Sequence, residues 1–278
     1  MKNFFAFTLF PGLFLLATAF SGKIPDSSDA LKNTVSLQAR TDSFRLIHVF
    51  VALCDNDSQG IVPVPKKIGN GNDPGNNLYW GCGYGVRTFF NNSDDWRLIS
   101  TVKSPTKEIM ERCTWKHRRY NCYLVADAWK GARIKSCTVE FLKGASGNGD
   151  TVSAAPAAEH PRYRLADADL VAYVGHDGLM DFELADPPKN KGGAKKDVMI
   201  LACSSRMYFK QAIRTAGANP VLWTTNLMAP EAYTLKAAID GWLLNEKGEQ
   251  IRERASLAYN QYQKCGINGA RNLFATGF

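Results

Sequence analysis

Two short apolar runs in this chain each end in a side chain capable of nucleophilic chemistry. Leu170–Val174 (LVAYV) leads into Gly175-His176-Asp177-Gly178, and residues 198–202 (VMILA) lead into Cys203-Ser204-Ser205. Short continuous apolar runs bounded by turn residues read as strands buried on both faces, the usual condition of a parallel sheet. In open α/β sheets, functional groups gather beyond the carboxyl ends of such strands. The sequence therefore predicts an imidazole and a thiol at the same edge of one sheet, the arrangement a cysteine hydrolase needs.

The surrounding pattern supports such a sheet. Residues 46–53 (LIHVFVAL) read as a first strand, 96–102 as a second, 122–126 as another and 221–225 as a further one. Helices are expected over 78–90 with Asn77 as the cap, over 206–216 with Gly217 as the stop, over 231–244, and over 247–264. Residues 132–142 fit either a strand or a helix. Strand and helix alternate through the second half, which predicts an α/β fold: a three-layer α-β-α sandwich on a mostly parallel sheet.

The start of the chain reads as an export signal. Lys2 supplies the positive end, residues 4–16 are mostly apolar, and Ala17-Thr18-Ala19 is a small-residue cleavage site. The run is short for a bilayer span and is broken by Pro11-Gly12. The expected organisation is a signal peptide over 1–19, a loose leader over 20–45, and one α/β domain with inserted loops over 46–278. A secreted or periplasmic protein is expected, meeting the membrane only if the signal segment is retained.

Composition narrows the partners. With 45% hydrophobic and 22% charged residues, the chain can build a sizeable core. The formal charge of +8 comes from scattered bases, and the dense run Lys189–Lys196 contains two glycines and reads as a solvated loop. No nucleic-acid partner is expected, and a peptide or protein substrate is. Seven cysteines in an exported chain predict disulfides with one thiol left over, and Cys203 is the candidate for the odd one. Cys113 and Cys122 could staple a hairpin.

Neither a metal nor a cofactor is expected. Asp55-Asn56-Asp57-Ser58-Gln59-Gly60 opens like a calcium loop, but Lys66 stands where a bidentate Glu is needed, so an Asx turn is the better reading. Cys113, His117 and Cys122 lack a fourth ligand at suitable spacing. Asn56-Asp57-Ser58 and Asn91-Asn92-Ser93 are glycosylation sequons, relevant only in a eukaryotic secretory pathway.

The two blocks together resemble the caspase-like cysteine peptidases of clan CD, which include caspases, legumains, gingipains and separases. Ala202-Cys203 matches that family's second block, and Cys203-Ser204-Ser205 is similar to the residues after the legumain nucleophile. The first block departs from His-Gly, because Asp177 separates His176 from Gly178. The resemblance implies a caspase-like α/β domain with Cys203 as nucleophile and His176 as general acid/base. It also implies backbone oxyanion donors at Cys203 and in the Asp177-Gly178 turn. A helix starting after Cys203 should depress the thiol pKa. Self-cleavage in the exposed loops 143–160 and 189–196 is a further implication.

Two alternatives stand beside this reading. One is a catalytically inactive caspase-like domain used for binding. The other is a papain- or NlpC-like hydrolase in which Cys82, within Trp80-Gly81-Cys82-Gly83, works with His176.

Overall fold

The first strand, β1 (Arg45–Ala52), is buried over its last seven residues, and its side chains alternate between two apolar layers. Ile47, Val49 and Val51 face one layer, while Leu46, Phe50 and Ala52 face the other. This is the period-two consequence of a strand covered on both faces. Burying each aliphatic side chain contributes about 1.5–3 kcal/mol relative to exposure, so β1 can only be an interior strand. The computed structural model describes residues 44–149, 153–154 and 163–278, and residues 44–278 form one compact unit.

Around β1 the chain builds one eight-stranded sheet from β2 (Trp96–Lys103), β3 (Ile109–His117), β4 (Cys122–Trp129), β7 (Leu170–Val174), β8 (Asp197–Leu201), β9 (Asn219–Thr224) and β10 (Phe274–Ala275). The strand order is β10-β9-β8-β7-β1-β4-β3-β2. Pairing is parallel from β9 through β8, β7 and β1 to β4, with β10 antiparallel at one edge and the β2–β3 hairpin antiparallel at the other. A two-residue hairpin of β5 (Ser153–Ala154) and β6 (Tyr163–Arg164) stands apart from the sheet's pairing.

Helices cover both faces. On one side lie α1 (Val86–Asn91), α4 (Ala232–Leu243), α5 (Gly248–Gln263) and α6 (Ile267–Leu273), contributing Phe90, Leu235, Ile251 and Leu273 to one core layer. On the other lie α2 (Ile134–Ala145) and α3 (Ser205–Ala216), contributing Phe141 and Phe209 to the second. The expected three-layer α/β sandwich with a mostly parallel sheet is thus the observed one.

Several elements differ from expectation. Asn77 caps no helix: it is fully buried, its side chain bonds Cys54 N, Cys54 O, Asn70 O and Tyr79 N, and the chain turns irregularly until α1 begins at Val86. Glycines 81, 83 and 85 account for the delay, since a helix gains nothing from residues that lose so much backbone freedom. The ambiguous segment is helical as α2, after a 3-10 turn at Gly131–Arg133. The end of α3 follows the sequence: Gly217 adopts φ +65°, and Ala218 N–H reaches Ile213 O, a left-handed cap that disfavours a Cβ.

All seven cysteines are unpaired. The proposed Cys113–Cys122 staple is not formed because the β3–β4 register sets Cys113 opposite Ala126, away from Cys122. The signal and residues 20–43 of the expected leader lie outside the described residues, while Arg45 already belongs to β1. Of the loop expected over 143–160, half lies outside them, and its first three residues finish α2. No helix among the described residues is long and apolar enough to cross a membrane.

Beneath α2, three polar side chains are buried in the sheet. Arg112 on β3 grips Asp127 on β4 with two hydrogen bonds of 2.5 and 2.7 Å, and His48 Nε2 lies 2.9 Å from the same carboxylate. Burial opposes ionisation of Asp127, but Arg112 and His48 hold its carboxyl below the usual range. Removing one partner of such a buried pair costs about 3–5 kcal/mol. Asp127→Ala should therefore lower the unfolding free energy by about that amount, read from the denaturant midpoint. A loss under about 1 kcal/mol, the scale of an exposed pair, would contradict this role.

Candidate active site

β7 and β8 are adjacent and parallel, with Val174 opposite Leu201. Two residues beyond each of these partners stand His176 and Cys203. The register therefore delivers both side chains to the same end of the sheet, and both line one cavity of about 280 Å³. This is the juxtaposition expected from the two apolar runs.

Each residue is placed by its own backbone device. After β7, Gly175 takes φ +145° and donates its N–H to Leu201 O at 3.2 Å; a Cβ there would press on the Ala52 carbonyl at the end of β1. The buried Tyr173 hydroxyl donates to His176 O at 2.8 Å and fixes the next turn. After β8, Ser204 adopts the left-handed conformation at φ +48°, uncommon for a residue with a Cβ. That reversal leaves Cys203 at the tip between strand and helix, with α3 starting at Ser205.

A buried clasp of hydroxyls locks this tip. Ser205 Oγ donates to Ile200 O at 2.9 Å and accepts from Thr224 N at 3.0 Å. Thr224 Oγ1 accepts from Ser205 N at 3.1 Å and donates to Ala202 O. Ser204 N–H is held by Asn226 O at 2.9 Å. Nothing in the sequence pattern around Thr224 signals this role, because a threonine ending a strand is ordinary.

His176 is 6% exposed, and its Nε2 lies 2.8 Å from Asp181 Oδ2. With the Asp181 oxygen as acceptor, Nε2 is the donor of this bond and Nδ1 is left for another partner. Asp181 is itself held by the Gly60 N–H at 3.0 Å, in the loop that follows β1. A side chain at Gly60 would collide with the Asp181 carboxylate. Sequence reasoning overlooked Asp181; its spacing, five residues after His176, was the only available signal.

Cys203 Sγ accepts from Met228 N at 3.4 Å and lies 3.6 Å from Met228 O. Among the described residues no hydrogen bond joins Sγ to the His176 ring. Contrary to the expected depression by α3, burial pushes the thiol up, and the neighbouring Asp177 charge adds to the rise against the Met228 N–H. The resting group is a thiol, so a base must remove its proton as it attacks.

The expected Asp177–Gly178 oxyanion donors are not at the cavity. A 3-10 turn, Gly178–Met180, carries them away: the Asp177 side chain caps it by accepting from Leu179 N at 3.0 Å, and Gly178 packs against Phe182 and Ile134. Of the lining residues, Gly175 gives its N–H to Leu201 O and Met228 gives its N–H to Cys203 Sγ. Cys82 is also elsewhere. It sits in the turns before α1, donates to Asn76 O at 3.0 Å, and does not line the cavity that holds His176. The Asp55 side chain accepts from Asp57 N at 3.2 Å and Ser58 Oγ at 2.6 Å, forming an Asx turn.

Asp177 is fully buried, and its Oδ2 has no hydrogen-bond partner among the described residues. Burial drives its carboxyl up to about 7 from 3.8. The folded protein thus keeps a proton that the unfolded chain releases near pH 4. The associated stability is complete below about pH 4 and is lost as pH rises through about 7. Thermal unfolding of the wild type should fall relative to Asp177→Asn between about pH 5 and pH 8. Parallel pH profiles for the two proteins would contradict a raised Asp177.

The chain matches no family model, no curated protein and no solved structure, so the geometry above carries the functional reading.

Proposed function

We propose that the chain is a secreted or periplasmic cysteine endopeptidase of the caspase-like kind, with Cys203 as nucleophile and His176 as general acid/base. The observation that carries this reading is the shared cavity at the ends of two adjacent parallel strands, onto which both side chains open.

The chemistry follows from the resting thiol. His176 takes the Cys203 proton as Sγ adds to the carbonyl carbon of a peptide bond. Met228 N–H, which rests against Sγ at 3.4 Å, is the backbone donor placed to turn to the tetrahedral oxyanion as Sγ bonds carbon. The C–N bond then breaks, and His176 returns the proton to the departing amine. A water, deprotonated by His176, adds to the thioester, and Cys203 leaves with the proton restored. Asp181 holds the ring tautomer and orientation throughout, as the buried carboxylate does in a Ser-His-Asp triad.

A caspase-like binding domain without catalysis is the second reading, favoured by the raised thiol and the absence of a Cys–His hydrogen bond among the described residues. Hydrolysis of a fluorescently labelled unfolded protein separates the two. Wild type should cleave it, Cys203→Ala should fall to background, and His176→Ala should lose about 10²–10⁴-fold in kcat. Asp181→Asn should lose at least about tenfold in kcat with KM little changed, as expected of a group that orients the base. Mass spectrometry of quenched reactions should find the acyl group on Cys203. Equal turnover by wild type and Cys203→Ala would overturn the assignment.

A further inference from the structure

The cavity beside Cys203 and His176 is apolar. Ile61, Val62, Met180, Leu227, Met228 and Pro230 make most of its wall, and no Lys, Arg, Asp or Glu lines it. Three of these residues stand well out of the protein: Val62 is 87% exposed, Leu227 68% and Met180 41%. They come from three separate loops, so their convergence on one opening is a property of the fold. Large apolar side chains exposed together mark a binding surface more than scattered ones do.

The polar groups nearest the cavity are already engaged. Asp181 serves His176 Nε2 and Gly60 N–H, and the Tyr79 hydroxyl is hydrogen-bonded with Cys54. A charged side chain entering here would shed water and meet no Lys, Arg, Asp or Glu in the wall itself, which is costly. A volume of about 280 Å³ lies just under the ~300–1,000 Å³ of pockets for drug-sized ligands. It suits one side chain. Two methionines in the wall can adjust to a branched or aromatic guest.

We infer that the site selects peptides with a large apolar residue, leucine above all, next to the bond that is cut. This rests on the assignment of Cys203 as nucleophile, and it goes beyond that assignment by naming the substrate class. The loop after β1, through Ile61 and Val62, and the segment after β9, through Leu227 and Met228, are the specificity elements.

The test uses three peptidyl chloromethyl ketones that differ only in the residue beside the warhead: Leu, Arg or Asp. Sγ displaces chloride to form a C–S bond, and the thiol proton leaves with it as HCl. Labelling of Cys203 is followed by mass spectrometry on the native full chain, with the urea-unfolded chain as reference. The Leu probe should label Cys203 at least about tenfold faster than either charged probe, the scale of discrimination an apolar pocket provides. Leu227→Glu, a change at a well-exposed rim position, should raise the Arg rate relative to the Leu rate by several-fold. If the Arg or Asp probe labels wild-type Cys203 as fast as the Leu probe, the selectivity is wrong and the nucleophile stands. If no probe labels Cys203 faster in the native than in the unfolded chain, the nucleophile assignment fails and the inference falls with it.

Discussion

The parallel ladder between β7 and β8 is the constraint on which the site depends. Val174 pairs with Leu201, and from there both strands run two residues further to His176 and Cys203. A slip of one residue in either strand would exchange the side chains that meet the two layers, setting Tyr173 where Ala172 and Val174 pack, so side-chain size in the layers also holds the register. The position of the thiol relative to the imidazole is therefore a by-product of core packing. Burial of Leu170–Val174 and its partner strand contributes the stability, and the placement of the two side chains follows from it.

Local devices then refine what the ladder delivers. Gly175 permits the backbone to cross the end of β1, while the left-handed Ser204 reverses it into α3. The Ser205–Thr224 clasp ties that reversal to β9, so three neighbouring strands converge on Cys203. The loop after β1 closes the other side, with Gly60 holding Asp181 and Asp181 holding His176. Rigid supports of this kind would suit the proposed catalytic pair better than mobile loops. Against them stands one electrostatic oddity, the buried Asp177 carboxyl near the thiol. When it ionises, its charge opposes a thiolate at Cys203.

Much of this was legible in the sequence. The two apolar runs announced buried strands, Gly217 announced the end of α3, and the strand-helix alternation of the second half announced the parallel sheet. β3 was not legible: Ile109–His117 mixes Glu111, Arg112 and Lys116 with its apolar residues, because its polar side chains pair inside the sheet. Asn77 looked like a helix cap because capping and loop-bracing use the same amide chemistry. The odd cysteine count pointed to Cys203 by way of disulfides that the fold does not form. Asp181, Thr224 and the apolar wall come together through tertiary placement, which spacing along the chain does not reveal.

The central claim is that His176 and Cys203 act as one unit across the β7–β8 edge. The most direct measurement is the rate at which iodoacetamide alkylates Cys203 in the native protein, compared between wild type and His176→Ala. If the imidazole takes the thiol proton, the variant should react at least about tenfold more slowly while its unfolded chain reacts at the wild-type rate. Equal native rates in the two proteins would contradict the account.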